Sequence, residues 1–286
     1  MLSYAQNAED VILHRVLTEP SGFYLDVGAC HPVIDSITYA FYRRGWRGIN
    51  VEPDPSMHTR LEAVRPRDIN LQGAVSQHSG EATFYRCPRH LPLSTMNPKV
   101  ASELKESGVP IQQESIEVTT LSHIFSEHAP EQVDFLKVDV EGHEHEVLLG
   151  NDWERFRPII VVVEATHPRT TEPVHQRWES VLTNSAYHFA HFDGLNRYYV
   201  REENIELLEE LDRPLSAFDP HVPFRQYAQI RFFRDVMQRV ASDEAAPLAN
   251  NLNKLLHKMV EDPMLCRKSP AYLRELMDEL AEEGSP

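Results

Sequence analysis

Between Gly22 and about Val200 the chain alternates short runs of β-branched and aromatic residues with amphipathic stretches. This rhythm restricts the fold more than any other feature. Residues 23–27, 48–51, 69–75, 133–140 and 159–163 read as strands, most of them nearly continuous in apolar side chains. Residues 36–44, 57–64 and 143–149 read as helices, the first stopped by Gly45. Strands that are apolar on both faces must be covered on both faces, which helices crossing over a parallel sheet achieve. The expected class is α/β, with a doubly wound, mostly parallel sheet.

Two stretches break the rhythm. From about Glu81 to Glu117, a strand-like 82–85 is followed by a long loop bearing Pro and Ser, including Leu93-Ser-Thr-Met-Asn97. Long loops in compact domains serve as lids or binding loops, so acceptor choice is expected there. Residues 187–194 and 197–200 read as a hairpin turning at Asp193-Gly194-Leu195-Asn196. Beyond Arg201 the composition shifts to Glu, Leu, Lys and Arg, and helices are expected at 225–241, 247–260 and 270–282. They read as an appendage or as an element for homo-oligomers. The expected organisation is an N-terminal segment (1–20), a core domain (21–220) and a helical C-terminal region (221–286).

With 286 residues the chain is long enough for one large α/β domain plus an appendage. Its 44 acidic against 28 basic side chains give a formal charge of −16. Such a surface repels phosphate backbones, so nucleic acid is not an expected partner. Cys30, Cys87 and Cys266 lie far apart and suit reduced thiols. The first ten residues are polar and acidic, unlike a signal peptide, and the longest apolar run, 159–163, is too short to span a bilayer. A cytoplasmic protein with no transmembrane segment is expected.

The first strand leads into Leu25-Asp26-Val27-Gly28-Ala29-Cys30. A glycine at such a turn lets a ligand approach the backbone at the carboxyl edge, where open α/β sheets bind ligands. A lone glycine marks a tight turn just as readily. The second strand, however, ends in Glu52, where related folds hold a ribose diol. Asp26 and Cys30 occupy places that a pyrophosphate-binding turn gives to glycine. A carboxylate at Asp26 would repel the pyrophosphate of NAD or FAD. S-adenosylmethionine carries no phosphate, and its ammonium and sulfonium suit nearby acids. The pattern favours the methyl donor over a dinucleotide.

The densest constellation is Lys137-Val-Asp139-Val-Glu141-Gly-His143-Glu-His145. Positions two apart on a strand point the same way, so Lys137, Asp139 and Glu141 are expected on one face. Charges inside an otherwise apolar central strand are costly unless paired or functional. A Lys137–Asp139 ion pair is the structural alternative for Lys137. Glu164 ends the next strand, with His167 beyond it. Two adjacent strands each ending in acid can chelate a divalent ion such as Mg²⁺, through Asp139, Glu141 and Glu164, or position an acceptor hydroxyl. Glu141 and His145, four apart, could also form a metal pair.

The segments 3–10, 22–29, 45–53, 136–144 and 193–197, in that order, resemble the FkbM-type methyltransferases. Pro214-Leu-Ser-Ala-Phe-Asp219 extends the likeness, which covers roughly residues 3 to 220. The resemblance implies a class I, Rossmann-like methyltransferase fold and O-methylation of sugars in polysaccharides, lipid-linked glycans or glycosylated natural products. By the same resemblance Asp26, Gly28 and Ala29 form the cofactor turn, and Glu52 with Pro53 the ribose end. Ala74 and Val75 flank the adenine, and Asp139 and Glu141 are the acids at the active edge. Gln6 and Asp10 belong to an N-terminal motif over the cofactor. Cys30-His31 and His143 depart from the usual pattern, and the tail after about residue 225 has no counterpart.

A sugar hydroxyl is a poor nucleophile at neutral pH, so a base must take its proton while the acceptor is held in line. Asp139, Glu141 or His143 is expected as the base, with Glu164 orienting the acceptor. A bound Mg²⁺ would do the same work by lowering the hydroxyl pKa. One rival is a non-catalytic cofactor-binding scaffold that works through its helical tail. An NAD-dependent sugar dehydrogenase or epimerase is another, but it calls for a glycine-rich first turn and a Tyr-x-x-x-Lys pair, and neither is present.

Overall fold

The computed structural model describes residues 1–240, 246–261, 268 and 270–282. Cys266 and the expected helix end at Ala241 lie outside the described residues. The chain divides into two compact units. The larger, Ala5–Asp219, is built on one seven-stranded sheet. Its strands are β1 (Phe23–Val27), β2 (Arg47–Glu52), β3 (Ile69–Gln72), β4 (Phe135–Val138), β5 (Ile160–Glu164), β6 (Tyr187–Phe192) and β7 (Asn196–Arg201). They lie in the order β6-β7-β5-β4-β1-β2-β3. The strands β1 to β5 pair in parallel, and β7 runs antiparallel between β5 and β6.

Alternation along the strands produces two cores. Leu25, Val27, Leu136, Val138, Val161 and Val163 pack with Leu121, Ile124 and Phe125 on one face. Tyr24, Phe135, Ile160 and Val162 pack with Ile12, Phe41 and Trp46 on the other. This is the doubly wound, class I methyltransferase architecture. The strand order reverses between β1 and β4, so the crevice at their carboxyl ends is the natural ligand site.

Three expected elements differ. Residues 69–75 are not one strand: Gly73, at φ +151°, ends the main-sheet strand at Gln72 and sends Ala74–Val75 into a second sheet. The stretch 81–117 is not a plain loop. It holds strand Gly80–Arg86, helix Pro98–Glu106 and strand Gln112–Thr119, and the two strands form a three-stranded sheet with Ala74–Val75. The central strand stops at Val138, so the expected alternation does not extend to Glu141, which turns left-handed at φ +55°.

The second unit comprises Met1–Tyr4 and the chain from Pro220 onward. Helices Phe224–Val240, Ala246–Glu261 and Pro270–Glu282 pack around Phe232, Val236, Leu252, Leu255, Leu273 and Met277. This is the helical C-terminal appendage. Among the described residues no helix is long and apolar enough to cross a membrane.

Candidate active site

The turn after β1 lies directly on the segment after β4. Gly28 has φ +78°, and a Cβ built on it would stand 1.9 Å from the Asp139 carbonyl oxygen. Only glycine fits such an approach. The Gly28 and Ala29 amides both donate to the Val51 carbonyl, at 3.0 and 3.2 Å, which ties the turn to β2. At the end of β2, Glu52 is 6% exposed and accepts from the Cys30 amide and the Asp54 amide, each at 2.7 Å. Burial pushes its carboxyl up to about 7. A carboxylate has about four lone-pair sites, so Glu52 keeps acceptor capacity for a diol. Pro53 follows it half-buried, and Asp54 caps helix Pro55–Val64 by accepting from the Ser56 and Met57 amides.

Asp26 is buried beneath this turn. It accepts from the Thr38 hydroxyl at 2.7 Å and pairs with Lys137 at 3.3 Å. The Lys137 ammonium also donates to the Gly28 carbonyl at 2.7 Å and lies 3.5 Å from Asp139 Oδ2. One cation thus ties the β1 turn to the acid that follows β4. Its two anionic neighbours outweigh burial and raise its proton affinity.

Asp139, Glu141 and Glu164 converge at the carboxyl edge, with carboxylate oxygens within 4.8 Å of one another. Glu164 Oε2 and Glu141 Oε2 are buried and receive no hydrogen bond. Burial first, and then the charge of Asp139, hold the proton affinity of both glutamates well above the ordinary carboxylate range. Behind them, buried Glu144 accepts from the Val140 and Gly142 amides at 3.2 and 3.0 Å and shapes the turn. Three gathered carboxylates have the donor chemistry of a site for a hard divalent cation such as Mg²⁺. His145 is not part of the cluster.

The remaining expected residues lie around this centre. His143 Nε2 is 3.0 Å from Ser76 Oγ and its Nδ1 is 3.6 Å from Glu146, so its ring is engaged beside Ala74 and Val75. Ala74 and Val75 are buried. Gln6 is exposed in the bend before helix Glu9–His14. That N-terminal motif fastens to the hairpin turn: Asn196 Nδ2 donates to Glu9 at 2.9 Å and Asn7 Nδ2 to the Asp193 carbonyl at 2.7 Å. Asn196 is the register partner of Glu164, which brings the motif to the same edge.

Within the segment 93–97, singled out from the sequence as part of a binding loop, two residues have a role the sequence did not assign. Thr95 Oγ1 donates to the Glu141 carbonyl at 2.8 Å, and Asn97 Nδ2 to the Gly142 carbonyl at 2.7 Å. The one available signal was Asn97 before Pro98, a helix N-cap pattern. Thr38 and Arg65, which close the polar network below Asp26, carried no local signal.

A family model described as the methyltransferase FkbM domain matches residues 26–189, more than half of the chain. The chain belongs to the FkbM methyltransferase family. Among solved structures it is similar to methyltransferase FkbM from Methylobacillus flagellatus KT, at 15% identity and a TM-score of 0.40. That match covers 66% of this chain and 47% of the other, so the chain spans about half the length of that protein. It is also similar to a TehB-like SAM-dependent methyltransferase from Corynebacterium glutamicum, at 11% identity and a TM-score of 0.37, covering 68% and 88%. No curated protein matches the chain in sequence.

Proposed function

We propose that this FkbM-family protein transfers the methyl group of S-adenosylmethionine to a hydroxyl of a sugar or glycosylated acceptor. The observation that carries the reading is the Gly28 turn pressed onto the Asp139 carbonyl at the switch point, ringed by carboxylates. The Gly28 turn and Glu52 would hold the donor's nucleoside end, and Ala74 and Val75 would flank its adenine. The sulfonium supplies an electrophilic methyl group, so the protein has to hold the acceptor oxygen in line and take up its proton. Asp139, with a side chain 33% exposed, is the member of the acid cluster that an acceptor can reach. Glu141, half-buried, and Glu164, buried, stand beside it in the cluster. His143, committed to Ser76 and Glu146, is less available as the base.

Residues 21–220 are read as the catalytic domain and the later helices as an appendage, with a homo-oligomer as their proposed product. The sugar acceptor rests on the family resemblance and on the suitability of a carboxylate cluster for a hydroxyl. Calorimetric titration of S-adenosylmethionine and NAD into the purified protein tests the donor. Binding of the first alone, weakened by Glu52→Ala, is expected; no binding of the methyl donor would overturn the reading. Transfer of isotope-labelled methyl to a panel of glycans tests the acceptor, and full turnover by Asp139→Ala would remove Asp139 from its role.

A further inference from the structure

We propose that Asp139, Glu141 and Glu164 form a binding site for one divalent cation of the Mg²⁺ or Mn²⁺ type. Only its consequence for methyl transfer rests on the function proposed above.

The three carboxylates offer oxygens within 4.8 Å of one another. Oxygen ligands lie about 2.0–2.6 Å from Mg²⁺ or Ca²⁺, so two ligands of one such ion stand at most about 4–5 Å apart. For Mg²⁺, with oxygens at about 2.1 Å, the ceiling is about 4.2 Å, so the three carboxylates close on the ion by a small side-chain movement. An all-oxygen, anionic donor set selects hard cations over the softer metals that prefer sulfur and imidazole.

The second observation is independent of the spacing. Glu164 is 7% exposed, and its Oε2 accepts from no amide, hydroxyl or ammonium, its side chain meeting only the Asp139 carboxyl. An unpartnered buried carboxylate oxygen carries a desolvation penalty that a bound cation relieves. Glu141 Oε2 is orphaned in the same way. Lys137 is engaged elsewhere: it donates to the Gly28 carbonyl at 2.7 Å and pairs with Asp26 at 3.3 Å and Asp139 at 3.5 Å. Glu144 adds charge nearby, with one oxygen taken by the two turn amides. The backbone presents Glu141 to the cluster from a left-handed conformation, which Thr95 holds through the Glu141 carbonyl. These oxygens have the chemistry of ligands to a hard cation. A cation here would polarise an acceptor hydroxyl bound beside Asp139.

Two other occupants would relieve the same charge: a proton shared between Asp139 and Glu164, or the donor's own cationic centre. A titration of Mn²⁺ into the chelator-treated 286-residue chain, followed by the paramagnetic resonance of free Mn²⁺, separates them when no donor is present. The expected result is saturable uptake of one Mn²⁺ per chain, displaced by Mg²⁺. Glu164→Gln and Glu141→Gln should each weaken it by at least the roughly tenfold that even outer partners of a metal site contribute. Glu131→Gln, an exposed residue elsewhere, should leave it unchanged. Thermal melts of the same variants show that they fold.

No uptake by the wild-type chain, or equal uptake by all three variants, would overturn the proposal. A Glu164→Gln variant that melts higher, together with no Mn²⁺ uptake by the wild-type chain, would overturn the proposal and assign the cluster to a shared proton. Donor binding measured on the same preparation keeps the two readings apart. Donor binding without Mn²⁺ uptake removes the cation alone, and Mn²⁺ uptake without donor binding removes the methyl-transfer reading and leaves the cation site.

Discussion

The ammonium of Lys137 lies 3.3 Å from Asp26 Oδ1, and the two side chains are 8% and 2% exposed. At that depth neither charge is tolerated alone. Removing one partner of a buried pair costs about 3–5 kcal/mol, because the other is left as an uncompensated charge. Lys137→Met should therefore lower the denaturant midpoint strongly, and Lys137→Met with Asp26→Asn should recover much of the loss. Equilibrium urea unfolding measures both. A single variant as stable as the parent would show that Asp26 is satisfied without Lys137.

Gly28→Ala combines two penalties. A left-handed conformation costs a non-glycine residue about 1–2 kcal/mol, and here the added carbon would meet the Asp139 carbonyl at 1.9 Å. The β1 turn must lift away from β4, opening the crevice where the donor is proposed to bind. Loss of measurable S-adenosylmethionine binding by calorimetry is expected, together with a lower melting temperature. Binding at parental affinity would place the donor elsewhere.

Glu9 and Glu52 give the larger unit an uncommon dependence on pH. Burial, reinforced at Glu9 by Asp193, raises their pKa from the ordinary 4.5 to about 8 and about 7. The folded chain holds protons there that the unfolded chain releases, so stability falls as pH rises from 4.5 to about 8. Asp219 and Glu203, lowered to about 2 by Arg15 and Arg157, act in the opposite sense. Their contribution is present above the ordinary carboxylate range and is lost as pH drops toward 2. The urea midpoint should peak at about pH 5, and Glu9→Gln should flatten the alkaline limb. A midpoint that climbs steadily from pH 5 to 8 in donor-free protein would contradict these shifts.

What could be read from the sequence follows from range. Strands β1, β2, β4 and β5 announce themselves through local apolar runs, and the acids that end them are visible by position. Gly28 could be picked out because its role is a backbone conformation that one residue type supplies. The insertion was harder to read, because Gly80–Arg86 and Gln112–Thr119 pair with each other over a gap that holds a helix. The first shows as strand-like only over 82–85, and the second, half-exposed and rich in Gln, Glu, Ser and Thr, carries no apolar run. The polar core of Tyr24, Arg65 and Asp68 was invisible for the same reason: Arg65 and Asp68 look like surface charges until the fold buries both side chains completely.

Asn97 joins stability and positioning in one side chain, and two substitutions separate them. Its Oδ1 caps helix Pro98–Glu106 through the Lys99 and Val100 amides, at 3.0 and 3.4 Å, while Nδ2 donates to the Gly142 carbonyl at 2.7 Å. Asn97→Ala removes both and should cost about 1 kcal/mol for the cap alone. Asn97→Asp keeps the cap but turns the Nδ2 donor into an acceptor facing a carbonyl. The aspartate variant should therefore melt closer to the parent than the alanine variant does. Both should lose hydrogen-exchange protection across residues 140–144, and with it the placement of Glu141. Mass-resolved exchange on the two variants decides the matter. Unchanged protection in Asn97→Asp would mean that Thr95 and Glu144 hold the turn by themselves, making Asn97 a cap and nothing more.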